Sequence, residues 1–87
     1  MRSFQHPALL KALASELKAR RAALGISQDE LAFAAEMNRT FVAKLELAKT
    51  SPSLASLFKL ALGLEVEPWE LVLAIQQRFE MEQHGRS

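Results

Sequence analysis

The 87-residue chain predicts an all-α fold, five helices in a single domain. Three observations carry this. Apolar residues recur at three- and four-residue spacing through successive segments. Residues that cap helix N-termini (Ser27, Asn38, Ser53) stand at the heads of three of those segments. Gly25, Gly63 and Pro68 punctuate the pattern at helix ends and beginnings. The length suits one modest core, and a hydrophobic content of 49% excludes general disorder.

Residues 1–7 lack periodicity and include Pro7, so they are read as a flexible arm. In the first helix Leu10, Leu13, Ala14, Leu17, Arg21 and Leu24 form one stripe, from which Lys11, Lys18 and Arg20 stand off. Gly25 suits the left-handed position after it, and Ile26 can fold back as the apolar member of the cap. Arg21 is a cation on an apolar stripe and needs a partner if it is even partly buried.

Ser27-Gln28-Asp29-Glu30 fits a capping box, so a second helix starts at Gln28 and runs to about Ala35, burying Leu31, Ala32 and Ala35. The turn at Glu36-Met37 and the cap at Asn38 lead into a third helix from Arg39 to about Leu47. There Val42 and Leu45 look inward, while Arg39, Thr40, Ala43 and Lys44 look outward. So short a turn forces the two helices to cross steeply, as in a helix-turn-helix spanning residues 28–47. Ser53 caps a fourth helix whose apolar positions are Leu54, Leu57, Phe58 and Ala61, ended by Gly63. Pro68 sits in the first turn of the fifth, where Glu67 and Glu70 complement the macrodipole. This last helix extends to around Gln83, ahead of a polar tail at residues 84–87. It carries two apolar sets: Leu71, Val72, Ile75 and Phe79, and Trp69, Leu73 and Ala74. A monomer has core enough for one, which predicts a homodimer through this helix, with Trp69, Leu73 and Phe79 at the interface.

Composition narrows the function. With no cysteine, disulfides and thiolate metal sites are excluded, and the two histidines, His6 and His84, lie near opposite ends of the sequence. No metal and no cofactor are expected. No apolar run approaches the ~20 residues of a membrane span and no signal-peptide pattern is present, so a soluble, cytoplasmic protein is expected. The net charge of +1 says little, but its distribution says more. Residues 1–50 hold eight Lys/Arg against five acids, and residues 51–87 hold three against five, so an anionic ligand should face the first half.

Residues 17 to 72 resemble the phage-repressor/Cro-type helix-turn-helix family, also called the XRE family. The resemblance rests on Arg21, Leu24-Gly25-Ile26-Ser27-Gln28, Glu30-Leu31-Ala32 and Leu45-Glu46. It continues through Pro52, Leu57, Leu60-Ala61-Leu62-Gly63-Leu64 and Leu71. Asn38-Arg39-Thr40-Phe41-Val42, with the small size, resembles the controller proteins of restriction-modification operons, a subgroup. The resemblance implies a lambda-repressor-like domain and a structural ion pair between Arg21 and Glu46. Two departures stand out. Glu36 occupies the turn where many members have Gly, and is expected to be left-handed at a cost of roughly 1 kcal/mol. Leu47-Ala48-Lys49 replaces a polar residue and Gly, so the loop nearest the DNA backbone is expected to differ in shape.

Within such a motif the second helix enters the major groove N-terminal end first. Arg39, Thr40 and Lys44 are therefore the expected base contacts, Arg39 bidentate to guanine. Gln28, Asn38 and Lys49 are the expected phosphate contacts, with N-capping the preferred role for Asn38. The expected function is a dimeric transcriptional regulator of double-stranded DNA on a palindromic operator. The alternative is a protein-interaction module, such as the antitoxin of a toxin-antitoxin pair. An enzyme is not expected, and no small-molecule substrate, because the carboxylates are dispersed over helix surfaces without His or Cys partners.

Overall fold

The computed structural model describes residues 6–84 and contains α1 (Pro7–Leu24), α2 (Gln28–Ala34), α3 (Arg39–Glu46), α4 (Leu54–Gly63) and α5 (Pro68–His84). Pro7 is the first residue of α1 and no part of an arm, because a proline lacks only an amide that the first helical turn leaves unused. Residues 1–5 and 85–87, where most of the expected arm and tail falls, lie outside the described residues.

The long α1 is the spine. It packs along α5 on one side and against α3 on the other, while α4 closes the structure against α2 and α5. The core at their junction contains Leu17, Leu31, Val42, Leu45, Leu60 and Leu71, all with essentially no solvent exposure. Leu24 departs from its predicted stripe and is exposed. In that last turn Arg21 lies half-buried, and Ile26 folds back onto the core beyond the helix end.

Helix α4 is rotated from its predicted register. Leu54 and Phe58 are 72% and 53% exposed, and the buried residues are Leu60, Ala61 and Gly63, with Leu57 half-buried. Nearly every position from Leu54 to Leu64 is apolar, so spacing alone fits more than one face. Gly63 ends α4 for a different reason from the one its type suggests: its φ is not positive. It is buried where a Cβ would stand 3.1 Å from the Ala35 backbone nitrogen and 3.1 Å from Leu31 Cδ1. The glycine lets α4 lie close against α2.

Four helices close by the same device. The amide after the last turn bonds three residues back, and the next amide bonds five back. In α1 these are Gly25 to the Ala22 carbonyl and Ile26 to that of Arg21, both 3.1 Å. Met37, Lys49 and Val66 make the equivalent longer bonds to Ala32, Lys44 and Ala61 at 2.9, 3.0 and 3.0 Å. The left-handed residue is glycine only in α1. Glu36, Ala48 and Glu65 take φ of 55°, 59° and 61° in the others. Glu36 thus adopts the conformation expected of it. Ala48, in the loop where the resemblance places a Gly, adopts the left-handed conformation that glycine favours, at a cost in backbone strain.

Glycine at position 36, 48 or 65 should relieve that strain. Each substitution is expected to raise stability by about 0.5–1 kcal/mol in denaturant titration, the gain in φ being partly offset by unfolded-chain entropy. Gly63→Ala should lower stability by about 1–3 kcal/mol by forcing α4 off α2.

Candidate nucleic-acid interface

The interface is built from the cap outward. Glu30 donates its amide to Ser27 Oγ (3.0 Å) and Ser27 donates its amide to Glu30 Oε1 (2.8 Å), a complete capping box that fixes the start of α2. Asn38 Oδ1 accepts the Thr40 amide at 2.6 Å and starts α3. Leu31, Ala32 and Ala35 from α2 and Val42 and Leu45 from α3 are buried, with Met37 and Phe41 packed at the edge. The two short helices are thereby packed against each other, and Arg39, Thr40 and Lys44 stand exposed on α3.

Glu46, at the inner end of α3, is 5% exposed. Arg21 grips it bidentately, Nε to Oε2 at 2.7 Å and Nη2 to Oε1 at 2.8 Å, while its Nη1 donates to the Ile26 carbonyl at 2.9 Å. Gln28 adds a third hydrogen bond, from Nε2 to Glu46 Oε1 at 3.0 Å. Burial pushes the Glu46 carboxyl up. The bonds from Arg21 and Gln28, with the positive charges of Arg21 and Lys18, outweigh it and leave the group below its ordinary value. The bond to Glu46 raises Arg21 against its own desolvation.

The structure qualifies several residues singled out from the sequence. Gln28 already spends one amide hydrogen on Glu46, a partner its position at the head of α2 did not suggest. Asn38 uses its oxygen as the cap, and its side-chain nitrogen keeps its donors. Lys49 is exposed, and its amide closes α3 on the Lys44 carbonyl. Arg39 lies 3.3 Å from Asp29 Oδ1 through Nε, an ion pair across the two helices that the sequence reading missed. On α5, Trp69 and Leu73 are 65% and 43% exposed, whereas Phe79 packs on the protein's own core with its ring edge-on to His6 at 4.9 Å. Phe79 therefore belongs with the inner set of α5.

A second buried carboxylate also escaped the sequence reading. Glu16, 7% exposed, accepts from Arg20 Nε and from Arg78 Nε of α5, both at 2.6 Å. The signal that would have found it is its place on the inner arc of α1, one turn before the Arg20 it pairs with. Among the described residues no helix is long and apolar enough to cross a membrane, and no group of three His, Cys, Asp or Glu is placed to hold a metal ion.

Residues 17–71, from the middle of α1 into α5, match the helix-turn-helix family profile. The chain belongs to this XRE-type family. The family is one of DNA-binding regulators. No curated protein matches the chain by sequence. Among solved structures it is similar to the restriction-modification controller protein C.AhdI from Aeromonas hydrophila. There the identity is 37% over 71% of this chain and 94% of that one, with a TM-score of 0.68. It is also similar to the controller protein C.Esp1396I, solved as a tetramer in complex with its natural 35 base-pair operator (24% identity, 90% and 97% covered, TM-score 0.75). The clp gene regulator ClgR from Corynebacterium glutamicum shares the fold, at 20% identity, 90% and 83% covered and TM-score 0.81.

The joint at Glu46 predicts both a mutational and a pH effect. Glu46→Ala leaves Arg21 half-buried without its counter-charge and should cost about 2–4 kcal/mol of unfolding free energy, the lower part of the range for buried pairs because Arg21 reaches solvent. A carboxyl held below its unfolded value stabilises the fold fully above that unfolded value, and the contribution is lost as pH falls through the folded value. Thermal unfolding of the wild type should thus weaken below about pH 4.5, and Glu46→Gln should flatten that part of the profile.

Proposed function

We propose that this DNA-binding transcriptional regulator acts as a homodimer on a palindromic operator, each copy reading one half-site with α3. One observation carries the reading: the leading end of α3 presents Arg39, Thr40 and Lys44 on one exposed face, and its inner end is anchored by Glu46. The arrangement suits insertion of the N-terminal end of α3 into the major groove. Arg39 reads guanine O6 and N7, Thr40 contacts a thymine methyl or a phosphate, and Lys44 reaches a guanine or the backbone. Gln28, at the amide end of α2, and Asn38 donate their remaining side-chain hydrogens to phosphates, and Lys49 contacts the flanking strand. The controller-protein neighbours, one of them solved on its operator, support this reading of the face.

The second copy docks on the exposed side of α5, where Trp69, Val72 and Leu73 offer apolar area to solvent. Leu54, Phe58 and Leu62 are also exposed, at four-residue spacing on α4. A two-fold axis there gives two recognition helices about 34 Å apart, one turn of duplex.

Selection from random duplexes should return a palindrome with a fixed guanine in each half-site. Arg39→Ala should lose about 5- to 150-fold of the discrimination at that base pair. Wild-type affinity should fall about a hundredfold between roughly 50 and 200 mM salt if each copy neutralises two phosphates; affinity indifferent to salt would sink the reading. For the interface, Leu73→Arg should shift sedimentation equilibrium from dimer to monomer, leave the helical circular dichroism intact, and weaken operator binding at least tenfold. A wild type that sediments as a monomer at tens of micromolar would count against the dimer.

A further inference from the structure

The ion pair between Arg39 Nε and Asp29 Oδ1 (3.3 Å) joins the first turn of α3 to the first turn of α2. Both side chains are largely exposed, 60% and 74%, so the pair adds little to stability. Asp29 is also badly placed for a protein that approaches a polyanion. It is a negative charge in the first turn of α2, where it complements the helix macrodipole but lies beside Gln28, the side chain proposed to meet a phosphate. Helix capping does not require it either, since Glu30 already supplies the carboxylate of the capping box. What the geometry does provide is a carboxylate oxygen 3.3 Å from the Nε edge of the reading arginine, a charge contact between two exposed side chains. Asp29 lies nearest Nε, and Arg39 has no other partner among the described residues. That leaves Nη1 and Nη2, the two nitrogens of the end-on fork that fits guanine O6 and N7.

Resting on the proposed reading of Arg39, we propose that Asp29 is a specificity-determining positioning residue. Its charge draws the Nε side of the Arg39 guanidinium so that the two terminal nitrogens face one guanine, and it disfavours the orientation in which Arg39 swings to a phosphate. An unrestrained arginine loses more side-chain freedom on pairing with a base and reaches neighbouring phosphates as readily as the base. Asp29 therefore lowers affinity for DNA in general while raising discrimination at the base pair that Arg39 reads.

The two effects separate in one experiment. Wild type, Asp29→Asn, Asp29→Glu and Arg39→Ala are titrated against the duplex that wild type selects from random sequence. The same proteins are titrated against duplexes carrying each single base-pair change in the half-site, and against a random-sequence duplex. Asp29→Asn is expected to bind the random duplex about two- to tenfold more tightly, because a charge of the phosphate's own sign has gone. It should lose about three- to tenfold of discrimination, confined to the base pair at which Arg39→Ala also loses it. Asp29→Glu, which keeps a carboxylate, should recover part of that discrimination. Unchanged discrimination in Asp29→Asn, alongside a loss in Arg39→Ala, overturns the positioning role and leaves Arg39 as reader. A loss spread evenly over all base pairs overturns it too. If Arg39→Ala loses discrimination nowhere, the reading of Arg39 fails and the proposal fails with it. Melting curves establish that each variant is folded at the assay temperature.

Discussion

The geometry of the DNA face depends on the grip of Arg21 on Glu46. The arginine leaves α1, the carboxylate leaves the end of α3, and Gln28 reaches the same carboxylate from the start of α2, so three helices meet at one buried oxygen pair. The third arginine nitrogen holds the Ile26 carbonyl, which belongs to the link between α1 and α2. Each donor has an acceptor in this arrangement, which is the condition under which a charge can sit at 5% exposure. Apolar packing holds these two helices of seven and eight residues together. The directional bonds to Glu46 set their register, and the orientation of Arg39, Thr40 and Lys44 follows from it.

The same solution recurs on the other flank of α1. Glu16 is held by Arg20 from its own helix and Arg78 from α5, so the spine carries one buried carboxylate toward α5 and receives another from α3. The two differ in geometry. Arg21 holds Glu46 through a bidentate contact, whereas Glu16 divides its oxygens between two more exposed arginines.

Much of the fold could be read before any coordinates because local chemistry and burial agree along most of the chain. The capping box at Ser27, the left-handed Gly25 and the cap at Asn38 are set by neighbours within four residues, and the structure places them as the residues dictate. The rotation of α4 was illegible because nearly every residue there is apolar. With only Ser56 and Lys59 polar the pattern points weakly, and the close approach of Gly63 to α2 shows which side turns inward. In the interface, exposure of Arg39, Thr40 and Lys44 followed from helical spacing. The partners Glu46 for Gln28, Asp29 for Arg39 and Arg78 for Glu16 lie 18, 10 and 62 residues away in sequence, and no local pattern encodes such distances.

The position of α1 has a mechanical consequence. Helix α3 is fastened to α1, and α5 packs along it, so the proposed recognition surface and the proposed dimer surface hang on one 18-residue rod. The spacing between half-sites that such a dimer accepts is then a property of the rod and its two clamps. Loosening Arg78 from Glu16 would act as a hinge, letting the two reading heads swing apart or together while each kept its own grip on sequence. Tolerance for operators of unequal spacing and fidelity within a half-site would accordingly be adjusted by different residues.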